Sequence, residues 1–208
     1  MYTNLCNTKN KSRLYYVHWN EPIIFKKSFK KIQKGTDKEN LNVSEFYKWP
    51  ISKTFNIDCA HRIETWSLER HDFFAPHRTL AESLSKDWDH LDLFAYRETN
   101  QNKIKPSIIE KGSKHKLNEF GSKQFELFLE ILNLAKPLAI VVVNAFASNI
   151  YLQQRKLIFN RELGYHEESL CGEKKIPIFF SGMITGGRAL DTFSREPLFW
   201  QIEKAVNG

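Results

Sequence analysis

The chain has 208 residues, of which 41% are hydrophobic, 26% charged and 13% aromatic, a composition typical of a soluble globular domain with a full core. The 31 basic and 24 acidic residues give a formal net charge of +7, and no stretch of about 18 apolar residues occurs, so no membrane span is expected. The three cysteines form no CxxC pair, which excludes the usual zinc ribbons and four-cysteine iron–sulfur clusters and fits a reducing compartment.

No internal repeat or low-complexity linker divides the sequence, so a single domain over residues 1–208 is predicted. The first residues, MYTNLCNTKNKSRLYY, lack the apolar core of a signal peptide. We therefore expect a cytoplasmic protein without a membrane partner.

The first part of the chain predicts one strand and one basic segment. RLYYVHW (residues 13–19) is rich in aromatic and β-branched residues, as strands are. FKKSFKKIQKG (residues 25–35) repeats Phe25, Phe29 and Ile32 at i, i+4 and i+7, which favours an amphipathic helix or a basic loop. Such a basic excess raises the chance of a polyanionic partner, most often nucleic acid, although ordinary solubilising charge would give the same balance.

Strand and helix patterns alternate along the rest of the chain. They are a helix in FFAPHRTLAESLSKD (73–87), a strand in HLDLFAY (90–96), a helix in SKQFELFLEILNLAKP (122–137), strands in LAIVVV (138–143) and IPIFF (176–180), and a helix in SREPLFWQIEKAV (194–206). Pro137 should end the long helix, and Ser194 is the predicted N-cap of the last one.

This alternation implies parallel strand pairing through right-handed crossovers. The continuous apolar run LAIVVV is typical of a central parallel strand that is covered on both faces. We therefore predict an α/β fold: a three-layer α/β/α sandwich with a central four-stranded parallel sheet.

Polar or glycine-containing segments follow all four predicted strands. They are HWNEP (18–22), RETNQ (97–101), NAFAS (144–148) and SGMITGGRALD (181–191). Ligands of open parallel sheets bind at the carboxyl ends of the strands. Asn144 is therefore predicted to face a site that all four loops share, and capping of the following helix is the alternative.

Taken together, these loops resemble the uracil-DNA glycosylase superfamily in the order of elements and the placement of motifs. The family has a Gly-x-Asp/Asn-Pro motif after its first strand, whose Asp or Asn positions a water against the sugar. In VHWNEP, Asn20 falls at that position and Pro22 is displaced by one. Glu21 is the rival, because a carboxylate can orient water and also stabilise an oxocarbenium-like sugar. A plain turn is the alternative reading of this segment.

The family's second motif, His-Pro-Ser-Pro followed by a bulky wedge, corresponds to SGMITGGRAL here. Ser181 stands where the histidine would be, which removes the familiar donor to the base carbonyl. Met183 or Ile184 is predicted to be the apolar wedge that fills the gap left by a flipped nucleotide. The residues predicted to contact DNA phosphates, through backbone N–H groups or charge, are Thr185, Gly186, Gly187 and Arg188.

Two features depart from the family pattern. Uracil-specific members read the base with an Asn at the end of the second strand, where this chain has Tyr96 and Arg97. With Asn144, these are the predicted base-binding residues. Arg97, Glu98, Thr99 and Asn100 follow the strand and, if they line the pocket, suit a base with more polar atoms than uracil; a surface ion pair is the alternative. The glycine that opens the family's first motif is missing, and His18 lies in its neighbourhood.

The histidine-rich segment HRIETWSLERHDFFAPHR contains His61, His71 and His77. Their spacings fit no zinc-ligand signature, so no metal is expected, and a basic helical face or a lid over the site is predicted instead.

The resemblance implies a DNA glycosylase that flips a modified or damaged base and hydrolyses its N-glycosidic bond without metal or organic cofactor, acting on DNA as a monomer. It would serve base excision in DNA repair or antiviral defence against modified viral DNA. The alternatives are a non-catalytic nucleic-acid-binding protein that retains the fold, and a small-molecule α/β enzyme of nucleoside hydrolase-like or esterase-like type. The chain has no Gly-x-Ser-x-Gly nucleophile elbow and no Walker A loop, which argues against the common small-molecule enzymes.

Overall fold

The computed structural model describes residues 13–18, 65, 68–94, 101–170, 175–185 and 189–208. Its strands are β1 (Arg13–His18), β2 (Asp87–Asp92), β3 (Ala139–Val143), β4 (Phe159–Asn160), β5 (Tyr165–Ser169) and β6 (Lys175–Ser181). Its helices are α1 (Ala75–Ser83), which follows a 3₁₀ turn at Asp72–Phe74, α2 (Gln101–Ile108), α3 (Glu119–Ala135), α4 (Ala145–Arg155) and α5 (Thr192–Asn207). The basic segment at residues 25–35 lies outside the described residues. Of the helices in the described ranges, none combines the length and the apolar character that crossing a membrane requires.

The strands of the described residues form one sheet in the order β2-β1-β3-β6-β5-β4. The four strands that the sequence predicts, β1, β2, β3 and β6, pair in parallel. Strands β4 and β5 extend this sheet in antiparallel fashion and were not predicted, so the sheet is mixed and the fold is mixed α/β. Both escaped prediction for a physical reason: β4 has two residues, and β5 reads YHEES, which is polar because it lies near the edge of the sheet.

The predicted position of β2 is wrong by several residues. The strand covers Asp87–Asp92 and not residues 90–96. Leu93 and Phe94, which made the later segment look like a strand, are fully buried but lie in a bend after the strand. Because β2 pairs only with β1 among the described strands, it tolerates a polar sequence that a central strand would not.

Strand β3 has no exposed surface at any of its residues. Its side chains alternate between two hydrophobic clusters because successive residues of a strand point to opposite faces. Ile140 and Val142 belong to a cluster with residues of α2, α3 and α4, and Ala139, Val141 and Val143 belong to a cluster with residues of α1 and α5. Helices therefore contribute to the apolar core on both faces of the sheet.

The helix ends follow ordinary capping chemistry. Asn118 caps α3 by accepting a hydrogen bond from Gly121 N at 2.8 Å, and α3 ends before Lys136, whose φ of 47° is left-handed. Pro137 follows directly, as predicted. The predicted cap of the last helix is wrong: Asp191 is the N-cap of α5, and Ser194 donates its backbone N–H and hydroxyl to Asp191 at 3.0 and 2.8 Å.

A buried carboxylate connects the antiparallel strands to α4. Glu168 on β5 is 1% exposed, accepts a 2.9 Å hydrogen bond from the Tyr151 hydroxyl, and pairs with Arg155 at 2.7 Å. Burial and the adjacent carboxylate raise the pKa of Tyr151 well above its ordinary value, so this hydroxyl stays a donor at every working pH. These contacts hold β5 against α4. They also pair the buried Glu168 carboxylate, which would destabilise the fold if it had no partner.

The histidines near α1 form part of the core. His77 has no exposed surface and stacks on Trp88, with ring centroids 5.8 Å apart. His71 instead caps the 3₁₀ turn, accepting from Phe73 N at 3.0 Å. The prediction of a basic helical face is therefore wrong for His77, because the ring lies in an aromatic layer between α1 and β2.

Acid should destabilise the protein through His77 and His90. Burial, then the neighbouring His90 and Arg78, lowers the pKa of His77 from 6.5 to about 3, and burial lowers that of His90 to about 4. The unfolded state binds these protons more readily than the folded state. The contribution of the two histidines to the free energy of unfolding is therefore fully present above about pH 6.5, and it is lost as the pH drops toward their folded-state pKa values. Lowering the pH from 7 to 5 should reduce the free energy of unfolding by about 2 kcal/mol for each histidine, which urea unfolding would measure.

The His77→Phe variant should lose about half of this pH dependence, since an apolar ring suits the aromatic layer and does not titrate. His115→Phe, at a partly exposed histidine outside this layer, is the matched control and should keep the full dependence. An unchanged pH dependence in His77→Phe would contradict the assignment.

Candidate functional site at the carboxyl ends of the parallel strands

The strand order places a topological switch point at the carboxyl ends of β1 and β3. The next described strand after β1 is β2, which lies on one side of it, whereas the strands that follow β3 lie on the other side. Connections that leave adjacent parallel strands in opposite directions open a crevice between them, and this switch point is where open α/β sheets bind ligands. The end of β1 at His18 and the end of β3 at Val143 border it.

The strand register aligns the ends of four strands in one row. His18 pairs with Asp92, Val17 with Val142, and Val143 with Ser181. Adjacent strands lie about 4.8 Å apart, so the row from Asp92 to Ser181 spans about 14 Å of backbone.

Asn144 directly follows β3 and is the N-cap of α4. Its Oδ1 accepts hydrogen bonds from Phe146 N at 2.9 Å and Ala147 N at 3.2 Å, so the capping alternative is confirmed. Its amide end contacts the loop after β6, with Nδ2 lying 3.6 Å from the Sδ atom of Met183. The structure thus brings Asn144 and Met183 together, while contact of Asn144 with a base stays a prediction.

Ser148 makes a second connection between the same two strand ends. It is 8% exposed, and its Oγ lies 3.4 Å from the carbonyl oxygens of both Val142 and Ser181. Ser181, which occupies the position of the expected histidine, donates its own hydroxyl to Gly182 O at 2.8 Å. The Ser181 hydroxyl is therefore hydrogen-bonded within its loop.

The loop after β6 folds back on itself and buries part of its predicted DNA-binding face. Leu190 N donates to Met183 O at 2.6 Å, which closes the loop. Ile184 is 1% exposed and packs in the cluster with α1 and α5, so its prediction as a wedge is wrong. Met183 is partly exposed and remains the candidate wedge. Thr185 is 7% exposed, and its hydroxyl has no hydrogen-bond partner within the described ranges.

The other predicted site residues lie outside the described part of the chain, and their roles stay predictions. They are Asn20 and Glu21 after β1, Tyr96 and Arg97 after β2, and Gly186, Gly187 and Arg188 in the loop after β6.

Sequence reasoning missed Asp92, the last residue of β2. Its side chain is 29% exposed, and its Oδ1 lies 3.5 Å from His90 Nε2. Burial lowers the pKa of His90 to about 4, so the imidazole is neutral near pH 7. The signal was the alternation in DWDHLD, which places Trp88, His90 and Asp92 on one face of the strand.

Comparison of the chain with protein-family models, with curated proteins and with solved structures finds no match. The likeness to the glycosylase superfamily therefore rests on the motifs and their order alone.

Replacing Asn144 should separate its capping role from its amide contact. Asn144→Ala removes the acceptor for Phe146 N and Ala147 N and should lower the free energy of unfolding by about 1 kcal/mol. Asn144→Asp keeps an acceptor oxygen and places a negative charge at the helix N-terminus, so it should retain wild-type stability. Urea unfolding of the three proteins checks this; equal stability of the Ala variant would show that the cap contributes nothing.

Proposed function

We propose that this protein is a DNA glycosylase with a three-layer α/β/α core, which flips a modified or damaged base and hydrolyses its N-glycosidic bond. The observation that carries the proposal is that the segments after β3 and β6 contact each other beside the switch point. Asn144 contacts Met183, and Ser148 contacts the carbonyl oxygen of Ser181. A base-flipping enzyme needs a fixed pocket edge and an apolar group beside it to fill the vacated stack. Met183 beside Asn144 has that arrangement.

The chemistry requires a water held at C1′ of the sugar and stabilisation of the positive charge that develops there. Asn20, or Glu21 as its rival, follows β1 in the sequence and is assigned to the water. Asp92 ends the neighbouring strand in register with His18, and its carboxyl group is assigned to the side where the sugar becomes cationic. Asn144 is assigned to the base.

A non-catalytic nucleic-acid-binding protein is the second candidate, and one contact favours it. The family histidine that donates to the base carbonyl is replaced by Ser181, whose hydroxyl is bonded to Gly182 O at 2.8 Å. The departing base then lacks this donor. A binder that kept the fold and lost the chemistry would share the surface of the enzyme but leave the glycosidic bond intact.

Oligonucleotides that carry different modified bases, single- and double-stranded, separate the two candidates. The purified protein should generate alkali-labile abasic sites in at least one of them. Asn20→Ala should lower the cleavage rate about 10²–10³-fold with unchanged DNA affinity, because one positioned polar group in a water-excluded site contributes that much. Asn144→Asp, which keeps the helix cap, should reduce discrimination between bases with a smaller loss of rate.

Glu21→Gln tests the rival assignment in the same assay. Loss of cleavage in this variant alone would move the water-positioning role to the carboxylate. Full cleavage by both the Asn20 and the Glu21 variants would overturn the mechanism, and DNA binding without cleavage of any substrate would favour the non-catalytic binder.

A further inference from the structure

We infer that residues 110–116, here called the basic loop, together with Lys103 and Lys105 on α2, form a surface that binds the phosphate backbone of nucleic acid beside the strand-end site. This inference rests on the proposed function and extends it, since it assigns the partner to a part of the chain that the glycosylase motifs do not include. It follows from topology, from the order of the loop, and from its charge.

Topology places the basic loop on the same side of the sheet as the candidate site. Helix α3 leads into β3, which is parallel to β2, so α3 must run back from the carboxyl ends of the strands. Its 17 residues span about 25 Å, which is longer than β3, so its N-terminus reaches the strand-end side. The basic loop directly precedes that N-terminus.

Two aromatic contacts confirm this placement. The ring of His115 lies 5.7 Å from the ring of Phe146, and Lys105 Nζ lies 4.7 Å from the centre of the same ring. Phe146 is in the first turn of α4, two residues beyond Asn144. The basic surface and the Asn144 cap are therefore neighbours, and Lys105 is held in place by a cation–π contact.

The basic loop is an ordered structure. Ile109 and Leu117 form an antiparallel bridge at its base, and Glu110 N donates to Lys116 O at 2.8 Å. Gly112, with φ of 85°, makes the turn at its tip. Below it, Gly121 allows α3 to approach α2 so closely that a Cβ atom would lie 2.3 Å from Ile108 O. A loop fixed in this way presents its lysines at low entropic cost.

The charge of the surface is strongly one-sided. Its one acid, Glu110, pairs with Lys116 at 2.5 Å. Lys103, Lys111 and Lys114 are exposed, and within the described residues none of them has an acidic partner. Several such lysines on one side of the candidate site are typical of a surface that binds a polyanion. The phosphates of a nucleic acid bound at the strand ends would be able to contact them.

The salt dependence of DNA binding tests the surface directly. Lys111→Asn/Lys114→Asn should lower the slope of log K against log salt concentration by about 1.8, since each lost phosphate contact removes about 0.9. The advantage of the wild-type protein should accordingly shrink by about tenfold between 50 and 200 mM salt. Lys111→Arg/Lys114→Arg, which keeps both charges, should restore the wild-type slope.

A matched control is available at the opposite end of the helices. Lys136 and Lys156 are exposed, lie directly after α3 and α4, and have positive φ values that asparagine tolerates. Lys136→Asn/Lys156→Asn removes the same charge and should leave the slope unchanged. Equal slopes for both double variants would overturn the basic loop while leaving the proposed function intact.

Two further outcomes are distinct. Absence of wild-type DNA affinity at low salt would overturn the proposed function together with this surface. Binding of phosphatidylserine vesicles that depends on Lys111 and Lys114, without such dependence for DNA, would assign the surface to a membrane and also overturn the inference.

Discussion

The structure depends on the complete burial of β3. Five consecutive residues without exposed surface, in the middle of a parallel sheet, require apolar cover on both faces, and the alternation of their side chains divides the core into two clusters. The parallel neighbours β1 and β6 follow, because backbone groups buried this deeply must be hydrogen-bonded on both sides. The helices then occupy positions that the two clusters dictate.

The burial of β3 also explains the hydrogen bonds at the end of this strand. A strand that enters a helix without an exposed loop leaves the first N–H groups of that helix unsatisfied, and Asn144 supplies the acceptor. Its amide end then lies against Met183, so a residue required for folding also sets the distance between two loops. In the proposed enzyme, one side chain thus contributes both to stability and to the shape of the site.

Prediction from sequence succeeded where apolar runs were continuous and failed where tertiary context decided. LAIVVV and IPIFF predicted β3 and β6 because central strands need no polar alternation. The position of β2 was wrong because Leu93 and Phe94 are buried in a bend, which periodicity does not distinguish from a strand. Ile184 was indistinguishable from Met183 in the sequence; only packing against α1 and α5 shows that Ile184 belongs to the core.

The site shows the same limit. Asn144 was identified because a polar residue after an apolar run is a local signal, whereas Asp92 required the register of β1 and β2. The lysines around residue 114 have no helical or strand period, and the sequence does not show that the adjacent His115 packs beside Phe146.

Lysines at one part of this edge and a carboxyl group at the other are consistent with a single function. Exposed lysines attract a polyanion over about a Debye length, near 8 Å at physiological salt, and hold its backbone at the rim. Asp92, partly exposed beside a neutral His90, places a carboxyl group in the row of strand ends, where the proposed reaction would make a sugar cationic. A surface that only bound phosphate would gain from positive charge throughout. The separation of lysines at the rim from a carboxyl group at the strand ends suits a surface that binds a polyanion and acts on the sugar within it.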